Sequence, residues 1–104
     1  SVDDRNVYLT DEMSHVWGID RYSGSTLWKQ EDLQFRQITA PTSIDNYVVV
    51  GDFEGYLHWL DKTDGSFAAR VHVARDRIIA PPVVGGKVAY AYCSNGELAA
   101  YTYR

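Results

Sequence analysis

The chain has 104 residues, 45% of them hydrophobic and 23% charged, which allows one small domain with a buried core and excludes two. A net charge of -4 and the scattered placement of 10 Lys and Arg residues argue against binding to a nucleic-acid backbone or an anionic membrane surface. The single cysteine, Cys93, excludes an internal disulfide and a cysteine-built metal site.

Short runs rich in Val, Ile, Tyr and Trp, bounded by Gly, Asn, Asp and Ser, follow one another along the chain, which is typical of strands and turns. Residues 48–50 and 57–60 are apolar on both faces, whereas a sheet with one wet face would alternate. We therefore expect these two runs to be buried between neighbouring sheets. The predicted strands cover residues 7–10, 15–20, 26–29, 39–43, 47–51, 56–61, 67–71, 78–84, 87–92 and 97–103.

An internal repeat of 41 residues organises these strands. It relates five pairs of residues: Asp11 and Asp52, Asp20 and Asp61, Gly24 and Gly65, Pro41 and Pro82, and Gly55 and Gly96. A period of roughly 40 to 45 residues with strand composition is that of a four-stranded propeller blade. We predict an all-β fold, a partial β-propeller of about two and a half antiparallel blades. The blades are expected at residues 5–30, 38–73 and 77–104 of one domain, 1–104, the first without its innermost strand and the third without its outermost.

A turn motif closes the third strand of each blade. Asp20 and Asp61 begin the turns, where a carboxylate can accept backbone N–H bonds two and three residues on. Gly24 and Gly65 end them, at a position that requires φ > 0. Trp28 follows Gly24 by four residues, and we expect its ring to dock against the neighbouring blade.

This motif resembles the repeat of the pyrroloquinoline-quinone-type (PQQ-type, quinoprotein-like) propellers. The residues that carry the resemblance are Gly18-Ile19-Asp20-Arg21-Tyr22-Ser23-Gly24-Ser25-Thr26-Leu27-Trp28. The second blade departs from the pattern, with Ala69 at the position of Trp28. Within that superfamily, residues 49–60, with Gly51-Asp52 followed by Glu54-Gly55-Tyr56-Leu57-His58-Trp59, are most similar to the lipoproteins that assist outer-membrane barrel assembly.

The resemblance implies a non-enzymatic scaffold or adaptor that binds the barrel-assembly protein, nascent barrel precursors or both. It also implies the periplasmic face of the outer membrane, a lipid anchor on a cysteine N-terminal to this segment, and no cofactor. The segment is similar to the family's C-terminal blades. The resemblance implies a ring whose last blade takes its outer strand from the N-terminus. The third blade, which ends one strand short at Arg104, fits that closure.

Two alternatives remain: a fragment of a PQQ-dependent quinoprotein dehydrogenase, and a binding propeller of another pathway. A quinone site needs metal-binding carboxylates, a catalytic base and an aromatic floor. Asp11, Asp20, Asp52 and Asp61 recur with the scaffold, which favours turn formation over a unique site. We therefore predict no catalytic, cofactor-binding or metal-binding residues.

The three histidines, His15, His58 and His72, have no metal-ligand spacing. His58 lies between Leu57 and Trp59, and we expect it to be buried and hydrogen-bonded.

Four aromatic residues lie in or beside loops at strand ends: Trp17, Phe35, Phe53 and Tyr56. We expect inter-blade packing for Trp17 and Tyr56. Phe53, between Asp52 and Glu54, is predicted to be an exposed partner contact. Residues 7–10 and 97–103 would form unpaired strand edges, so we also expect the fragment to self-associate through its blade ends.

Overall fold

The computed structural model describes residues 3, 5–85 and 88–102, and this part of the chain forms ten strands and no helix. The fold class is therefore all-β, as predicted. The strands are β1 (Asn6–Thr10), β2 (Val16–Asp20), β3 (Thr26–Gln30), β4 (Thr42–Ile44), β5 (Tyr47–Gly51), β6 (Tyr56–Asp61), β7 (Phe67–His72), β8 (Val83–Gly85), β9 (Val88–Tyr92) and β10 (Leu98–Thr102). No helix among the described residues is long and apolar enough to cross a membrane.

Three antiparallel sheets form from strands that are neighbours in sequence. The first sheet is β1-β2-β3, the second β4-β5-β6-β7 and the third β8-β9-β10. Within the described residues, β1 and β10 are edge strands of the first and third sheets. Consecutive hairpins of this kind build a propeller blade.

Prolines explain the two strands whose predicted bounds were wrong. The sequence predicts a strand over residues 39–43, but β4 begins only at Thr42. It also predicts a strand over residues 78–84, but β8 begins only at Val83. Pro41, Pro81 and Pro82 have no N–H to donate to the ladder, so regular pairing begins after them. Ile78 makes an isolated bridge to Cys93.

Two hydrophobic cores separate the sheets, and the second sheet contributes to both. Val48, Val50 and Leu60 pack towards the first sheet. Val49, Leu57 and Trp59 pack towards the third sheet, against its Ala89, Ala91 and Cys93. Successive side chains of a strand point to opposite faces, so β5 and β6 need apolar residues on both faces to fill both cores. This stacking explains the continuous apolar runs in the sequence.

The turn motif lies at the β2–β3 and β6–β7 connections. Asp20 Oδ1 accepts the backbone N–H groups of Tyr22 (2.9 Å) and Ser23 (3.0 Å), and Asp61 Oδ1 accepts that of Thr63 (2.8 Å). Gly24 and Gly65 have φ of 74° and 75°. Both turns therefore have the left-handed glycine that a four-residue reversal needs.

Candidate binding surface

The opposite end of the sheets is built from the β1–β2 turn (residues 11–15), the β5–β6 turn (residues 52–55) and the linker between the first two sheets (residues 31–41). The Phe53 N–H donates to the Arg36 carbonyl oxygen (3.1 Å), and the Ile38 N–H donates to Ser14 Oγ (3.3 Å). These bonds join the turns and the linker into one surface, which we call the loop face.

Asp52 anchors the loop face from within, and its side chain is completely buried. Its Oδ1 accepts the backbone N–H groups of Glu54 (2.9 Å) and Tyr56 (3.0 Å). Its Oδ2 accepts Arg36 Nε (2.7 Å) and lies 2.6 Å from His58 Nε2. Four donors therefore surround one carboxylate, which is how a buried charge is made tolerable.

The tautomer of His58 follows from its second partner. Arg70 Nε lies 3.1 Å from His58 Nδ1, and a guanidinium can only donate. Nδ1 is therefore the acceptor, and Nε2 carries the hydrogen that faces Asp52. His58 is buried and hydrogen-bonded, as its position between Leu57 and Trp59 predicts.

The electrostatics of Asp52 favour the ionised form. Burial raises the pKa of its carboxyl group, but hydrogen bonds from His58, the Tyr56 N–H, Arg36 and the Glu54 N–H outweigh burial and hold the pKa at about 2. At neutral pH the carboxylate is ionised and fixes the Arg36 guanidinium in place.

Asp11 repeats part of this arrangement in the first sheet. Its Oδ1 accepts the N–H groups of Met13 (2.9 Å) and His15 (3.0 Å), and its Oδ2 accepts Trp17 Nε1 (2.9 Å). The hydrogen bond from Trp17, together with that from the His15 N–H, lowers the pKa of Asp11. Both aspartates therefore hold turns. The 41-residue spacing of Asp11 and Asp52 indicates a shared turn-forming role from sequence alone. No feature of the sequence indicates the ion pair of Asp52 with Arg36.

Phe53 lies beside the fixed guanidinium and is 39% exposed. The Arg36 Cζ atom is 5.7 Å from the Phe53 ring centroid, and Arg36 Nη2 donates to Glu54 Oε1 at 2.8 Å. Phe35, the residue before Arg36, is 79% exposed. The loop face thus presents the Phe53 ring next to a cation that the protein interior holds in position, and a second exposed ring, Phe35, on the linker.

Among the described residues, the ring contacts of Trp17 and Tyr56 do not reach a neighbouring sheet, so the inter-blade packing expected for both stays a prediction. Trp17 lies under Lys29 of its own sheet, 4.6 Å from Nζ to the ring centroid, on the face opposite Val16 and Gly18. The Tyr56 ring stacks on His72 of its own sheet, with centroids 4.6 Å apart. Strand alternation places Trp17 on the face of the first sheet that does not meet the second sheet, whereas Tyr56 lies on the same face of β6 as His58 and Leu60.

The remaining predicted positions lie apart from the loop face. Cys93 is buried in the core between the second and third sheets. Asp20, Gly24, Asp61 and Gly65 are at the other end of the sheets, and the described residues contain no group of three His, Cys, Asp or Glu side chains that could hold a metal ion. The loop face is therefore the candidate functional surface.

Three face-to-face antiparallel sheets with a repeated Asp-to-Gly turn define a β-propeller built from PQQ-type repeats. The chain belongs to the family of the outer membrane protein assembly factor BamB, because the model of that family matches residues 12–104. BamB of Kangiella koreensis is 49% identical over 83 residues, which are 80% of this chain and 21% of that protein. BamB of Alkalilimnicola ehrlichii is 39% identical over 100 residues, 96% of this chain and 26% of that protein. The chain thus spans about a quarter of the length of these relatives.

A solved structure supports the fold independently. The crystal structure of BamB from Moraxella catarrhalis matches 98% of this chain and 30% of its own, with a TM-score of 0.88 at 24% identity. At that identity the likeness establishes the architecture alone.

Proposed function

We propose that this chain is part of a non-enzymatic scaffold of the outer-membrane β-barrel assembly machinery, and that its loop face binds the barrel-assembly protein or nascent barrel precursors. The observation that carries the proposal is Phe53, an exposed ring beside a guanidinium that the buried Asp52 fixes. Aromatic and Arg side chains held in position before binding are typical of interaction hot spots. The pathway is supported by the family, whose members are named outer membrane protein assembly factors.

A scaffold fits the chemistry of the aspartates better than a quinoprotein dehydrogenase does. All four hydrogen bonds to Asp52 come from groups of this chain, so its oxygens are committed to holding the turn. Asp11 likewise accepts three hydrogen bonds from its own sheet. Carboxylates used in this way are poor candidates for cation ligands or catalytic bases.

The location follows from the same proposal. The names of the relatives, outer membrane protein assembly factors, support a location at the outer membrane. We assign the protein to the periplasmic face, held by a lipid anchor on a cysteine N-terminal to this segment. Nucleic acid is not a proposed partner, since the net charge is -4.

Self-association of the isolated chain is a further part of the proposal. The outer face of the third sheet exposes Val83 (64%), Tyr92 (47%) and Leu98 (64%), and that of the first exposes Leu9 (37%) and Leu27 (48%). Apolar faces of this kind beside free strand edges favour contact with another copy.

Capture of purified barrel-assembly protein on the immobilised chain tests the binding role. Phe53→Ala should weaken binding by about tenfold, which is the loss typical of an aromatic hot spot. Tyr22→Ala is the matched control, because Tyr22 is 80% exposed in the β2–β3 turn at the other end of the sheets. Equal capture by both variants would contradict the proposal. A chromophore bound after addition of quinone and calcium would instead favour the dehydrogenase.

A further inference from the structure

A groove of about 540 Å³ opens on the loop face between the β1–β2 turn and the linker. Its lining consists of Asp11, Glu12, Met13, Ser14, Phe35, Gln37 and Ile38. Met13 is 48% exposed and Phe35 79% exposed, so each wall carries a large apolar side chain that meets solvent. We call this feature the linker groove.

The second repeat shows why the groove is open in the first. There, the N–H groups of Val73 and Ala74 donate to the Gly55 carbonyl (2.9 and 3.2 Å), and that of Ile78 donates to the Asp52 carbonyl (3.0 Å). These bonds hold the second linker directly against its turn. A Cβ on Gly55 would lie 2.7 Å from the carbonyl carbon of Ala74, so this close approach requires glycine.

Ser14 occupies the position of Gly55 in the first repeat, 41 residues earlier. Its Cβ is incompatible with that close approach, and the first linker makes none of the three equivalent backbone bonds. Instead, the Ile38 N–H reaches the Ser14 hydroxyl at 3.3 Å. The linker therefore stands away from the turn, and the groove is the resulting space.

Backbone strain is concentrated at the same place. Four non-glycine residues of the described chain have positive φ, and three of them line the groove: Ser14 (62°), Phe35 (71°) and Gln37 (51°). Such a conformation is costly for a residue with a side chain and is typical of functional sites. For Phe35 the strain accompanies an exposed ring, so packing of that ring does not offset it in the free protein.

The chemistry of the walls identifies the occupant. Asp11 and Glu12 contribute two carboxylates, and no Lys or Arg lines the groove. The nearest cation on the linker, Arg36, is engaged by Asp52 and Glu54. We infer that the linker groove binds an extended peptide segment of a partner protein in which an aromatic side chain lies next to a Lys or Arg. The aromatic ring packs between Met13 and Phe35, and the cation lies against Glu12, the exposed carboxylate of the groove, since the oxygens of Asp11 already hold the β1–β2 turn.

This inference rests on the proposed protein-binding role of the loop face and specifies what part of that face recognises. The test measures fluorescence anisotropy of a labelled ten-residue peptide that alternates Phe and Lys with Ser spacers. Phe35→Asn should weaken binding by about tenfold, since it removes the ring and keeps a residue that tolerates positive φ. Glu12→Gln should weaken binding by about threefold at low salt and have no effect at high salt.

Two further measurements separate groove binding from general stickiness. Tyr22→Ala should bind the peptide as the parent chain does, and peptides with Glu for Lys or Ala for Phe should bind at least about tenfold more weakly. The inference is overturned if the peptide does not bind, if Phe35→Asn has no effect, or if the Glu peptide binds equally well. A chain that binds the peptide through the groove can still fail to capture the barrel-assembly protein. That result would refute only the partner named in the proposed function.

Discussion

The indole of Trp28 in the first sheet lies over Gly65 of the second sheet. A Cβ on Gly65 would be 2.7 Å from Trp28 Cδ2, and Trp28 Nε1 donates to the Lys62 carbonyl oxygen at 2.8 Å. Gly65 also has φ of 75°. One glycine therefore serves two purposes, since it closes the β6–β7 turn and makes room for a ring from the neighbouring sheet.

Replacement of Gly65 should separate these two purposes. Gly24 has the same backbone conformation, φ of 74°, and nothing within 4 Å of its missing Cβ. Gly24→Ala should cost only the conformational penalty, about 1 kcal/mol. Gly65→Ala adds overlap with the indole and should cost about 2 to 4 kcal/mol. Urea unfolding followed by Trp fluorescence measures both, and equal losses would show that the Trp28 contact is unimportant.

Asp52 should make the protein sensitive to acid. Its pKa falls from 3.8 to about 2 on folding, so its contribution to stability is complete above pH 3.8 and disappears as the pH drops towards 2. Asp52→Asn should lower the free energy of unfolding by about 3 kcal/mol at pH 7, because His58 and Arg36 lose a buried partner.

The variant should also lose less stability than the parent between pH 4 and pH 2, since the titrating group is gone. Urea midpoints across this range measure the difference. Asp20→Asn serves as a control for the loss of a turn carboxylate outside the buried cluster. A parallel acid response in the parent and Asp52→Asn would contradict the assignment.

The two ion pairs of Arg36, with Asp52 and with Glu54, should contribute unequally to the free energy of unfolding. Nε contacts Asp52, whose side chain is 0% exposed, and Nη2 contacts Glu54, whose side chain is 51% exposed. A double-mutant cycle of Arg36→Met with Glu54→Gln should give a coupling below about 1 kcal/mol, because water screens that pair. The cycle of Arg36→Met with Asp52→Asn should give a larger coupling energy. A larger coupling for Glu54 than for Asp52 would show that the buried ion pair is not what mainly holds Arg36 in place.

The isolated chain should associate in a concentration-dependent manner in light scattering. Leu98→Glu and Leu27→Glu place charges on the exposed outer faces of the third and first sheets and should each shift the chain towards monomer. Tyr22→Glu, in an exposed turn, should leave association unchanged. A parent chain that is monomeric at all accessible concentrations would remove the basis for this proposal.

The 41-residue repeat by itself predicts much of the architecture. The 41-residue spacing of Asp20 with Asp61 and Gly24 with Gly65 indicated blades, and the continuous apolar runs indicated a middle sheet buried on both sides. Strand bounds near Pro41 and Pro82 were predicted less well, since the local apolar pattern continues through residues that cannot donate to a ladder. Local composition does not report which N–H groups find partners.

Sequence alone determined the all-β class, the blade period and the turn chemistry, because these depend on residues near one another in the chain. Tertiary structure decided that Arg36 reaches Asp52, 16 residues away, and that Ser14 keeps the linker from closing on its turn. It also decided that Trp17 packs on its own sheet. Such contacts depend on the distance and orientation between separately formed elements, and those follow only from how the sheets pack together.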